Sequence, residues 1–159
     1  PLARAALYAQ GENLHVALWP GQVSNTSDIT RYIALESRSF VLSASALLGP
    51  HDLPPSLPLR AQIIAAIDQP IAHDGGSCIA GPDGSWLVKP VIGEEKLIVA
   101  HLDKAQVLRE RQNFDPSGHY SRPDVLRLSL SRERQSVVTF TDGLHPAEPA
   151  AKLAEQSRD

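Results

Sequence analysis

Leu2-Ala3-Arg4-Ala5-Ala6-Leu7-Tyr8-Ala9-Gln10-Gly11, followed by Leu14-His15-Val16-Ala17-Leu18-Trp19-Pro20-Gly21, is the stretch on which the fold class turns. The first part is rich in Ala and Leu, with a glycine behind it, and predicts a short helix over 2–10 closed by a left-handed cap at Gly11. The second alternates Leu14 and Val16 with His15 and Ala17 and predicts a strand that stops at the Pro20-Gly21 turn. A helix leading directly into a strand indicates an α/β chain, and the residues further along repeat the alternation.

Ser24 to Asp28 offers candidate N-caps, after which Ile29, Tyr32, Ile33, Glu36 and Ser37 mark one side of a helix reaching about Arg38. Phe40 to Ala46 reads as a buried strand. The four prolines between Gly49 and Pro58 make a loop, and Leu59 to Ile67 a helix with Ile63, Ile64 and Ile67 inward. Pro82-Asp83-Gly84 is a turn signature between runs at 75–81 and 85–90, so a hairpin is expected there. Lys96 to Leu102 is expected as a strand and Asp103 as the cap of a helix to about Arg111. A polar, irregular stretch from Asn113 to Pro123 follows, then strand-like runs at 125–130 and 136–140. From Thr141 onward the composition lacks apolar periodicity and predicts a mobile tail. The pattern is that of a mixed α/β layered domain over 1–140 with a tail at 141–159.

Composition excludes several function classes. The formal charge is -3 and the 15 Lys and Arg residues are dispersed, which argues against nucleic acid as a partner. No apolar run approaches the roughly 20 residues of a membrane helix. One cysteine, Cys78, leaves no internal disulfide and suits a reducing cytosol, and no signal peptide is apparent. The chain begins at Pro1 and holds no methionine, so the translated start is expected upstream and the chain is expected to be a fragment or a processed product.

Motif searches narrow the chemistry further. No nucleophile elbow, phosphate-binding loop, dinucleotide fingerprint or H-E-x-x-H motif occurs, and the six histidines lack the paired spacing of a zinc site, so no metal is expected. Cys78 reads as a small apolar strand residue, since neither Ser77 nor Ile79 supplies a base to activate a thiolate. Glu36 reads as a general base or as a charge paired with Arg38 or a nearby backbone group, and Trp19 as a pocket residue or as core. The block Gly118-His119-Tyr120-Ser121-Arg122-Pro123-Asp124 is dense in functional side chains; it reads as a ligand or partner contact, or as a local turn that buries Tyr120 and pairs Arg122 with Asp124.

The opening Pro1 to Gly11 block with His15 to Gly21 resembles the segment that follows the catalytic cysteine in nitrilases, where the pattern runs Cys-Trp-Glu, a few residues, then Met-Pro-Leu-Ala-Arg. Further matches follow in order: Ala34-Leu35-Glu36-Ser37-Arg38 with Phe40-Val41-Leu42, then Gly75-Gly76-Ser77 with Gly81-Pro82-Asp83-Gly84, and last Asp115 with Gly118 to Val125. The likeness spans Pro1 to about Leu128. Ser37 stands where many relatives have Gly, and Cys78 falls at a variable position.

The resemblance implies part of an α-β-β-α sandwich of the carbon–nitrogen hydrolase superfamily, incomplete here, whose nucleophilic cysteine, lysine and glutamate lie upstream of Pro1. It implies hydrolysis of a nitrile to a carboxylic acid and ammonia through a cysteine thioimidate and thioester, with no cofactor. Trp19, Pro20, Val23 and Ser24 are then expected near the pocket. Glu36 and Arg38 are expected as a supporting pair, with His119, Tyr120 and Arg122 also supporting. The helices at 2–10 and 29–38 resemble those that pair subunits, so a cytoplasmic homo-oligomer is implied, with this chain inactive alone. An amidase-type hydrolase is the alternative within the superfamily, and a non-catalytic association domain the alternative outside it.

Overall fold

The computed structural model describes residues 2–67, 73–133 and 137–138. The chain divides into a unit ending at Leu128 and a second unit from Ser129. The first holds α1 (Leu2–Tyr8), β1 (Leu14–Trp19), α2 (Val23–Ser37), β2 (Phe40–Ser45), β3 (Leu47–Leu48), α3 (Arg60–Ala66), β4 (His73–Ala80), β5 (Trp86–Ile92) and α4 (Lys104–Asn113), with a 3-10 turn at Pro50–Asp52. The described residues of the second unit, 129–133 and 137–138, contain no helix or strand. The expected strand at 136–140 and the tail at 141–159 lie almost wholly outside the described residues.

β1 and β2 pair in parallel from Leu14↔Phe40 to Trp19↔Ser45, and α2 is the crossover between them. β2 runs antiparallel to the far half of β4, and β3 pairs with its first residues. β5 is joined to β4 through the predicted turn, where Gly84 (φ 75°) donates its N–H to the Gly81 carbonyl. One face of the sheet packs on α2, and the core there is Ala17, Ile33, Ala34, Val41 and Ala80, flanked by Trp19, Ile29 and Trp86. Truncating Ile33 to Ala would leave a cavity costing about 2–5 kcal/mol.

α2 differs from the sequence pattern in which residues it buries. Its inner face carries Thr26, Thr30, Ile33, Ala34 and Ser37, while Tyr32 points outward. Thr30 and Ser37 donate to the carbonyls four residues back, at 2.7 Å each, so their hydroxyls are buried without an unpaired donor. The helix also begins before its expected caps: Ser24 to Asp28 lie inside it, and the N–H of Val23 is capped from β4 by Asp74 Oδ1 at 2.8 Å. Gly76 permits that approach, since a Cβ on it would stand 3.1 Å from Val23 Cα.

Three further expectations are corrected. Residues 96–102 form no strand: Lys96, Leu97 and Ile98 instead line the cavity beside β2 and β4, and Leu97 and Val99 stand exposed. Residues 125–130 form none either, because Val125 and Leu126 both donate backward to the Arg122 carbonyl in a turn. α3 buries no side chain, and Ile63 is exposed. The helix capped by Asp103 stands as expected, with Asp103 Oδ1 accepting from Ala105 N at 2.9 Å.

On the sheet face away from α2, β1 presents Leu14, Val16 and Leu18 at 44, 56 and 77% exposure. The same face of β2 and β4, at Leu42 and Ile79, borders a cavity of about 200 Å³ whose other wall is Lys96, Leu97 and Ile98. The strand therefore has two apolar faces and covers one of them, which is the pattern of a sheet made to be buried on both sides.

Candidate functional site

The residues singled out in the sequence fall into two groups at opposite ends of α2, a helix of 15 residues and so about 22 Å long. At its N-terminal end, Trp19 closes β1 as the register partner of Ser45, the last residue of β2. These are the C-terminal ends of two parallel strands, where open α/β sheets present their ligands. Pro20 and Ser24 are exposed and Val23 is half-buried. Trp19 Nε1, Ser45 Oγ and His73 Nδ1 are buried atoms with no hydrogen-bond partner among the described residues. His73 lies against Gly21, where a side chain would meet its Cβ at 2.5 Å. His73 and Ser45 were not legible as site residues, because Ser45 meets Trp19 only through the strand register and His73 reaches this end only through its contact with Gly21.

At the C-terminal end the polar groups are paired. Glu36 and Arg38 do not form the expected pair. Glu36 Oε2 accepts from Tyr8 Oη at 2.7 Å and from Arg4 Nε at 3.2 Å, with Arg4 Nη2 at 3.1 Å. Burial and the Glu36 hydrogen bond push the Tyr8 hydroxyl well above its ordinary pKa, so its proton stays on the ring oxygen. Arg38 caps α2 in the left-handed conformation at φ 53°, reaches Glu110 at 3.4 Å and lies 5.5 Å over the Phe114 ring. Two residues apart on a helix end, the two side chains leave on different sides.

Phe114, which the sequence reading passed over, links Arg38 to the polar loop: its ring is 5.0 Å from that of Tyr120, which in turn is 4.7 Å from His119. Tyr120 is 58% exposed rather than buried. Arg122 and Asp124 do pair, through two hydrogen bonds of 2.8 and 2.7 Å in full solvent. Asp115 organises the turn by accepting from Ser117 and Gly118 N–H groups, and a Cβ at Gly118 would collide with its carboxylate. Beside the loop, Arg111 binds the Glu12 carbonyl, Asn13 Oδ1 at 3.3 Å and Ser39 Oγ at 3.1 Å, which fastens α4 to the start of β1 and β2.

Cys78, on β4, is buried at 1% exposure, and that burial raises its pKa. A thiol in that setting is a packing group, since the thiolate is the nucleophile and burial disfavours it. Among the described residues no group of three His, Cys, Asp or Glu is arranged to hold a metal, and no helix is long and apolar enough to cross a membrane.

The chain, with its parallel β1–α2–β2 crossover extended by an antiparallel hairpin, is similar in fold to a solved structure, a carbon–nitrogen hydrolase from Helicobacter pylori G27. That structure aligns with a TM-score of 0.57 at 18% identity over 78% of this chain and 43% of that one. The fold is thus that of a carbon–nitrogen hydrolase. In sequence the chain is 41% identical over 141 residues to a nitrilase 2 from an unknown prokaryotic organism and 37% identical over 150 residues to nitrilase 2 of Arabidopsis thaliana. These matches take in 87 and 93% of this chain but 42 and 44% of the relatives, so the chain spans less than half the length of the curated relatives it matches. No family model matches it. In sequence the chain is thus similar to a stretch of the nitrilases that is less than half their length.

Proposed function

We propose that the whole protein hydrolyses nitriles to carboxylic acids and ammonia, and that this chain supplies one layer of the sandwich and one wall of the substrate pocket. The observation that carries the reading is the identity to nitrilases over nearly the full length of the chain. In this reading a thiolate, a lysine and a glutamate come from the part of the relatives' length that the chain does not span. The thiolate adds to the nitrile carbon to give a thioimidate. One water releases ammonia and leaves a thioester, and a second releases the acid and frees the thiol. Glutamate moves the protons and lysine stabilises the anionic intermediate.

Two features of the chain support this division of labour. Its one cysteine is buried in packing, and β1 keeps an apolar face that a second sheet would cover. Trp19, with Pro20, Val23 and Ser24 beside it, forms the pocket wall in this reading, because buried polar atoms without partners gather there. The outer residues Leu2, Leu7 and Tyr32 of α1 and α2 suit pairing of subunits in a homo-oligomer, and a free thiol suits the cytoplasm. The test is ammonia release by the whole protein from a panel of nitriles and the matching amides. Release from nitriles is expected; release from amides alone would move the protein to the amidases.

A further inference from the structure

α1 is a seven-residue helix whose one buried side chain is Tyr8, while Leu2 and Leu7 are exposed. A helix this short has little stability of its own and takes its place from tertiary contacts. Its polar attachment to the body is a single carboxylate: Glu36 Oε2, 32 residues further along the chain, receives the Tyr8 hydroxyl and both the Nε and an Nη of Arg4, and Arg4 Nε also donates to Tyr8 Oη at 3.0 Å. Arg4 and Tyr8 are one turn apart, so the carboxylate fixes the helix in both rotation and height.

We propose that Glu36 is a positioning residue for nitrile hydrolysis: by holding Arg4 and Tyr8 it sets α1 on α2, and through α1 it sets the segment that leads into Leu2. The inference rests on the nitrilase reading above, in which that segment carries the nucleophilic cysteine. Displacement of a nucleophile by about 1 Å is enough to lower turnover on the order of 100-fold, even when the altered residue never touches substrate. Glu36 acts through Arg4 and Tyr8, so it is expected to govern kcat and to leave the pocket at the other end of α2, and with it KM, largely alone.

The test uses the whole protein, with kcat and KM for a nitrile measured per folded molecule in wild type, Glu36→Ala and Glu36→Gln. The expected result is a kcat lowered on the order of 10- to 100-fold in Glu36→Ala with KM within about threefold of wild type, and recovery of most of the loss in Glu36→Gln, which keeps an acceptor oxygen. A Glu36→Ala protein with wild-type kcat, or one that changes only KM, overturns the proposal. If Glu36→Ala does not fold, Tyr8→Phe removes one donor from the same oxygen and is read in the same way. A wild-type protein that releases no ammonia from any nitrile overturns the reading of the function itself, and the wild-type control separates that outcome from failure of the positioning role.

Discussion

At its C-terminal end α2 gives Glu36 to Arg4 and Tyr8 and Arg38 to Glu110 and Phe114, whereas at its N-terminal end Trp19 Nε1, Ser45 Oγ and His73 Nδ1 are buried without partners among the described residues. Arg38 Nε is the exception at the well-paired end. Buried polar groups normally find partners, so satisfied groups mark a fastening and unsatisfied ones mark a place with binding capacity left over. In the proposed reading the contrast gives attachment of α1 and α4 to one end of the helix and recognition to the other. Perturbing the first end should change folding and, through the position of α1, kcat, and perturbing the second should change turnover with less change in folding.

Among substitutions of polar groups around the two ends of α2, the largest effect on stability is expected from Arg111→Ala, near the fastened end. It leaves the Glu12 carbonyl and the Ser39 hydroxyl without their cationic donor, at a cost of about 3 kcal/mol in denaturant unfolding. A cost no larger than that of a surface substitution would break the contrast. Next comes Tyr8→Phe, expected to cost about 1 kcal/mol near neutral pH. It also carries a pH signature. The folded Tyr8 hydroxyl holds its proton above the ordinary pKa of 10.0, so its contribution is fully present below about pH 10 and is lost as pH rises further, when the unfolded chain ionises first. Wild type should therefore lose stability more steeply than Tyr8→Phe on alkaline titration followed by circular dichroism.

Smaller effects are expected at the other end. Asp74→Ala removes the side-chain acceptor of Val23 N–H and should cost about 1 kcal/mol or somewhat less, as the loss of a helix cap does. Smallest in stability is Trp19→Phe, because the indole N–H it deletes has no partner to lose, and a change within about 0.5 kcal/mol is expected. Nitrile turnover by the whole protein should nevertheless fall in that variant. Unchanged turnover would remove Trp19 from the pocket wall.

Much of the fold was legible where local chemistry decides it. β1 stops at Pro20-Gly21, the Pro82-Asp83-Gly84 turn joins β4 to β5, and Asp103 starts α4. Sequence reading failed where a partner comes from far along the chain. The α2 cap arrives from Asp74, 51 residues away, and the Glu36 partners from α1, 32 and 28 residues back, so a neighbour such as Arg38 was the natural but mistaken choice. On the inner face of α2, Ile33 and Ser37 were read correctly, whereas Thr30 was missed because its hydroxyl is satisfied on the helix itself and it is buried like an apolar residue. Residues 96–102 carry strand-like composition, yet Lys96, Leu97 and Ile98 lie across a cavity from Leu42 and Ile79 rather than on a sheet edge. The likeness to nitrilases was readable from the opening block to Gly21 together with the Gly118 to Val125 block, whereas the split of the candidate residues between two ends of one helix needed the structure.

The central claim, that this chain shapes a nitrilase without supplying its nucleophile, is tested most directly by nitrile turnover of the whole protein carrying Cys78→Ala, measured per folded molecule. The account predicts a kcat within about twofold of wild type, since Cys78 is a buried packing residue. Abolished turnover in a folded Cys78→Ala protein would contradict it.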